Sequence, residues 1–415
     1  MHFRSGRCSC LSFGFKDLFA RYGDEQPSVQ IPKILISPSM KKDKIFFPNL
    51  DGWRFIAFLG VFYHHSFSTQ LTYITENPLY KVVKSTTTNG DLGVDFFFVL
   101  SGFLIIYLLI AEKELTGRID AINFYIRRVL RIFPLYFFCV FFGFLLFPLL
   151  KSFFGALPDE NAHISYYLFF LGNLDVVRNS ALPDSGVLGV LWSVAIEEQF
   201  YLTIPIVLMI IPVRFYKWVF AGVVILSWIL RAQNIESYYF LKFHTFASMG
   251  NLAIGGLIAY YAGTSKKFIG LFENLRKVYM KGIYAGAILI FLFRSSIFSF
   301  PIMKVFEASI IAGFFALIIL EQNYSKNSLF KMKDFKAFSW LGKYTYGLYC
   351  LHTIAALVTI QAMTMLRINT HLWQVLILQT LLMFALSIVI AYISYEYYEK
   401  PFLKLKNRFS FITKG

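Results

Sequence analysis

Ten apolar runs separated by short polar pieces dominate this chain: residues 52–68, 92–111, 132–150, 190–211, 215–230, 244–262, 281–294, 303–320, 340–363 and 373–396. A helix needs about 20 apolar residues to cross the hydrocarbon core, and in lipid every backbone polar group must be satisfied within the segment. The runs therefore predict an all-α, polytopic membrane protein with about ten transmembrane helices. An eleventh stretch, 164–174, is too short to cross and is expected to be re-entrant or interfacial. Composition agrees: 57% of the 415 residues are hydrophobic and 15% charged, too few polar groups to cover a wetted surface. No room remains for a sizeable soluble domain.

The net charge of +16 does not indicate nucleic acid, because its cations fall in short blocks between apolar runs. Topology explains those blocks. With 164–174 not crossing, Lys41, Lys42 and Lys44, then Arg127, Arg128 and Arg131, then Arg214 and Lys217, then Lys266, Lys267, Arg276 and Lys277, then Lys331, Lys333 and Lys336, and last Lys404, Lys406 and Arg408 all fall on one side. Both termini are then cytoplasmic. Residues 1–47 read as a disordered tail without a signal peptide, and Met40 would make a more natural start. Residues 48–405 form the membrane domain and 406–415 a cytoplasmic tail. Cys8 and Cys10 lie in the tail while Cys139 and Cys350 lie in apolar runs, and no CxxC or histidine cluster accompanies them, so neither disulfide nor metal is expected.

Ionisable side chains inside apolar runs are costly and carry most of the functional information. In LDGWRFIAFLGVFYHH, Asp51 is placed as an N-cap, and Arg54 and His65 stand eleven residues apart. That spacing is close to three turns, so both share one face, about 16 Å apart along the axis. Arg54 has two readings, an anchor paired with Asp51 or a ligand for anionic substrate. His65 suits proton transfer, and His64 points about 100° away from it. Arg128 and Arg131, one turn apart before a run, can grip phosphate or anionic lipid. Glu197, Glu198 and Gln199 stand near the start of another run, where at least one carboxylate must face the interior. Asp95 and Ser101 fall in GVDFFFVLSGFLI, where Ser101 and Gly102 suit close helix packing better than nucleophilic attack. Tyr344, Tyr346, Tyr349 and His352 mark YTYGLYCLH, and Glu399 precedes Pro401 at the end of the last run.

These segments, in this order, resemble the acyltransferase-3 family of integral membrane O-acyltransferases. The resemblance rests on the Arg54–His65 motif, GVDFFFVLSGFLI, the RxxR of Arg128 and Arg131, the ExQ of Glu197 and Gln199, YGLYCLH and the closing YEKPF, and it covers roughly residues 48–405. It implies transfer of an acyl group, commonly acetyl, from cytoplasmic acyl-coenzyme A to a hydroxyl of a surface or lipid-linked carbohydrate in the inner membrane of a bacterium. Acyl-coenzyme A would be a co-substrate rather than a resident cofactor. On this reading His65 is the general base or proton relay, Arg54 binds donor phosphate or stabilises developing charge, and Glu197 orients His65 or binds sugar hydroxyls. Arg128 and Arg131 dock the donor, while Gln199, Asp95, Ser101 and His352 bind acceptor or hold structure. Some family members carry a soluble C-terminal hydrolase-like domain; none is expected here, and a separate extracytoplasmic partner protein would take its place if one is needed. A proton-coupled transporter or a flippase would also accept buried Arg, His and Glu, but no repeat of the transporter kind is visible.

Overall fold

The computed structural model describes residues 46–409, so residues 1–45 of the expected tail, with the start at Met40, Cys8, Cys10 and the lysines at 41, 42 and 44, lie outside the described residues, while Phe47, expected in the tail, packs on Phe103 and Tyr107. Among the described residues the chain is entirely helical. Eight helices are long and apolar enough to cross a membrane, which makes this a polytopic membrane protein.

The first long helix, α1 (Pro48–His65), starts at a proline in its first turn, which needs no donor there. Asp51 is therefore not the N-cap expected from sequence; it sits one turn inside and forms an ion pair with Arg54. The chain continues through α2 (Pro78–Thr88) into α3 (Leu92–Thr116), which returns antiparallel to α1. Asp120 caps α4 (Ala121–Phe141) by accepting from the backbone N–H of Asn123 at 3.0 Å, which holds its carboxyl below the usual range. Helix α4 runs on through a wide turn at Phe142–Leu146 to Phe153.

The stretch read as 164–174 is two short helices, α5 (Ile164–Leu168) and α6 (Gly172–Asn179), each far below the length needed to span. Phe170 breaks them apart with a left-handed φ of 55°, strained for a bulky residue. Packing holds it there: its ring stacks on Tyr136 with centroids 4.1 Å apart, and its carbonyl accepts from Gln199 Nε2 at 2.7 Å.

Helix α7 (Gly186–Ile210) ends beside the end of α3, where Lys113 Nζ donates to the carbonyls of Leu208 and Ile211 at 2.6 and 2.8 Å and satisfies a helix terminus. Helices α8 (Tyr216–Gln233), α9 (Tyr238–Phe243) and α10 (Thr245–Thr264) follow. Helix α10 is rich in Gly and Ala, and its tightest partner is α3. A Cβ built on Gly102 would lie 2.0 Å from the Leu252 carbonyl oxygen, and one on Gly255 would lie 2.1 Å from that of Val99. Only glycine lets these backbones touch. The same smallness lowers the hydropathy of α10, and Asp51 and Arg54 do so for α1; neither is among the eight apolar helices, and both are packed by neighbours.

Helices α11 (Lys277–Ile297) and α12 (Pro301–Tyr324) flank the bundle. Near the start of α3, Asp91 pairs with Lys242 of α9 and accepts from Arg294 of α11 at 2.7 Å, while Arg294 Nε donates to Glu307 of α12 at 2.6 Å. Sequence inspection did not single out this network. It charges for desolvation but fixes four segments in register. Short α13 (Lys336–Gly342) packs on α1, and α14 (Thr345–Met365) pairs with α15 (Thr380–Ile393), which is entered and left through wide turns.

Candidate active site

A cavity of about 360 Å³ opens among α1, α3, α4, α7 and α14. Arg54 reaches it from the second turn of α1, Arg128 and Arg131 from the middle of α4, Ser101 from α3, and Glu197 and Tyr201 from α7. The two arginines of α4 are thus not a surface pair ahead of a span. They share one wall system with Arg54 and Glu197.

The cations are held differently. Arg54 is paired with Asp51. Arg128 lies with its guanidinium 5.3 Å from the Tyr201 ring centre and 5.4 Å from that of Phe124, and its Nε is buried without a hydrogen-bond partner among the described residues. Arg131 is exposed to the cavity, and among the described residues no hydrogen bond engages its side chain. A guanidinium on a membrane helix that faces open space and is not hydrogen-bonded is equipped to receive an anion.

Glu197 accepts from Ser101 Oγ at 2.8 Å and from Tyr201 OH at 3.2 Å. Those bonds keep it in the cavity wall, in the middle of α7 rather than near its start, and its carboxylate does not bond His65. Tyr201, one turn beyond Glu197, was the readable but unread signal, since residues four apart share a helix face. Ser101 lines the site as a donor to Glu197, whereas its neighbour Gly102 makes the close packing contact. Glu198 Oε1 is buried without a hydrogen-bond partner among the described residues.

The ring nearest to His65 across the bundle belongs to His352. Their centroids are 5.1 Å apart, and His352 is fully buried. Its Nδ1 lies 2.8 Å from the Tyr349 carbonyl, which can only accept, so Nδ1 carries the proton and Nε2 of the neutral ring is a lone pair. That Nε2 is buried and, among the described residues, has no hydrogen-bond partner. His64 turns elsewhere, with Nδ1 2.7 Å from the Thr88 carbonyl. Gln199 is spent on structure: its amide donates to Phe170 O and, at 2.8 Å, to Asn173 Oδ1, and it accepts from Thr245 Oγ1 at 2.6 Å. Asp95 accepts from Asn251 Nδ2 at 2.8 Å, joining α3 to α10 away from the cavity. Glu399 accepts from Ser394 Oγ at 3.0 Å rather than forming an ion pair.

A sequence profile described as an acyltransferase domain, that of the acyltransferase-3 family, matches residues 47–396. The chain belongs to the acyltransferase-3 family. Over 395 residues it is 28% identical to the O-acetyltransferase OatA of Staphylococcus aureus strain NCTC 8325 / PS 47, covering 89% of this chain and 59% of that protein. Over 384 residues it is 25% identical to the peptidoglycan O-acetyltransferase OatA of Listeria monocytogenes serovar 1/2a strain EGD-e, covering 86% and 56%. The chain therefore spans less than two thirds of the length of either relative. No solved structure matches it. The family match runs through both the arginine-lined cavity and the His65–His352 pair, so the two features belong to one domain.

Proposed function

We propose that this acyltransferase-3 protein transfers an acetyl group from acetyl-coenzyme A to a hydroxyl of a cell-wall or lipid-linked glycan. The observation that carries the reading is Arg131, a cation open to the cavity, beside Arg54 and Arg128. Guanidinium forks suit the phosphates of a coenzyme A donor. The acetyl group and the glycan come from the names of the two OatA relatives. Adding α1 and α10 to the eight apolar helices gives ten crossings, with 164–179 as a re-entrant or interfacial pair of helices. The basic loops then lie in the cytoplasm of a bacterium, the cavity opens to the donor side, and His65 ends α1 toward the outer side, where the glycan would present its hydroxyl. A separate extracytoplasmic protein remains the partner that would complete delivery.

In this scheme His65 takes the proton of the acceptor hydroxyl, and His352 Nε2, the bare acceptor beside it, receives or shares that proton. The arginines hold donor and developing negative charge. Glu197 holds Ser101 and Tyr201 in the cavity wall. Mass spectrometry of surface glycans from the native host tests the whole reading: deletion of the gene removes an alkali-labile ester and wild-type complementation restores it. An unchanged ester profile would instead favour a transporter or a small-molecule acceptor.

A donor-site role for Arg131 has its own signature. Arg131→Gln raises the KM for acetyl-coenzyme A by about 10- to 150-fold, the loss of one charge-assisted hydrogen bond worth about 1.5–3 kcal/mol, with a smaller change in kcat. A steady-state titration of donor reads it, and an unmoved KM would remove Arg131 from the donor site.

A further inference from the structure

The cavity has a ceiling. Helix α3 runs opposite to α1, and α7 ends where α3 ends, so the lining residue farthest from the donor side is Phe97 on α3, Ser193 on α7 and Tyr349 on α14. Along α3 the lining extends eleven residues from Leu108 to Phe97, about 16 Å. The Phe97 and Tyr349 rings meet edge to face with centroids 5.9 Å apart at 78°. Tyr349 OH stands 2.7 Å from Ser193 Oγ and donates to Val190 O at 3.2 Å. Immediately beyond it is the His352 ring, 6.2 Å from that of Tyr349, and then His65.

The parts of this ceiling are not equally movable. Tyr349 is tied at both ends, through its hydroxyl to α7 and through its carbonyl to His352 Nδ1. Phe97 is held by packing alone and is partly exposed to the cavity, while its neighbours Phe96 and Phe98 are buried. The bulk of residue 97 therefore sets how much room an acyl group has at the deep end. We propose that Phe97, closed against Tyr349, is the specificity-determining residue that restricts the donor to a short acyl group. This rests on the donor-binding reading above. In the reaction the thioester C–S bond breaks, the ester C–O bond forms, and the hydroxyl proton ends on the coenzyme A thiol. The acyl carbonyl must pass this ceiling to meet an acceptor hydroxyl at His352 and His65, and a longer chain meets the Phe97 ring first.

The test uses the full chain in detergent, with acetyl-, butyryl- and hexanoyl-coenzyme A as donors and a chito-oligosaccharide as acceptor probe, reading ester by mass spectrometry and thiol release. Wild type prefers acetyl. Phe97→Ala raises the butyryl-to-acetyl ratio of kcat/KM by about tenfold or more, since each methylene a pocket can or cannot hold is worth about 10–200-fold. Phe97→Leu gives an intermediate ratio and keeps the test open if the alanine variant does not fold. A wild type that uses acetyl-coenzyme A but shows the same ratio in both variants overturns the ceiling and leaves the donor reading standing. Hexanoyl used by wild type as well as acetyl overturns it too. A folded wild type that consumes no acyl-coenzyme A removes the donor reading and this inference together.

Discussion

His65→Ala lowers ester formation by about 10²–10⁴-fold, the ordinary contribution of a positioned general base, while the protein still inserts and elutes as wild type. The side chain is half-buried at the last residue of α1, and its truncation opens no core cavity. Its aromatic contacts are with two other histidines rather than with the phenylalanine core. The loss therefore appears in kcat and not in the donor KM, because the proposed donor site begins at Arg54, about 16 Å away along the helix. Complementing a deletion strain with the variant and measuring the glycan ester gives the same answer in the cell. Full activity of His65→Ala would shift the base to His352, whose unpartnered Nε2 is the next basic atom along the path.

The largest structural effect is expected at Gly102. Gly102→Val places a branched side chain where even a single carbon would stand 2.0 Å from the Leu252 carbonyl. Neither backbone can yield without separating α3 from α10, the most extensive helix pair in the bundle. Overpacking a side-chain core costs roughly 1–3 kcal/mol; a clash against backbone in two continuous helices exceeds that range. The expected result is loss of monodisperse protein after detergent extraction, read by fluorescence-detected size exclusion. Ser101→Ala, its neighbour, keeps the fold and loses only the bond to Glu197. A well-folded Gly102→Val protein would mean that the two helices do not meet there.

The helices were legible because lipid demands long apolar runs, and all ten runs read from sequence contain a helix. The break at Phe170 was not, since no local pattern makes a phenylalanine adopt a positive φ; partners at Tyr136 and Gln199, distant in sequence, impose it. Asp51 was read as a cap because of its type and place, but Pro48 had already started the helix. The candidate residues Arg54, His65, Arg128, Arg131 and Glu197 could be named from charge within apolar runs. Their grouping could not. Which helices are neighbours decides that Glu197 meets Ser101 and Tyr201, while His65 meets His352, and neighbour relations are not written in hydrophobic periodicity. The Asp91–Lys242–Arg294 network escaped notice for the same reason, its members being 52 to 203 residues apart in sequence.

The clamp made by Gln199 also constrains how the chain is built. Its amide joins Phe170 and Asn173, which are synthesised before it, to Thr245, which emerges 46 residues after it. During synthesis Gln199 can therefore reach the strained turn at Phe170 as soon as it emerges, but the clamp is not complete until α10 begins to emerge. Up to that point the Gln199 Oε1 and the Asn173 Nδ2 must find temporary partners in water, in headgroups or in the insertion machinery. A nascent chain arrested before Gln199 would leave the 164–179 segment open to protease, and release past that residue would begin to close it.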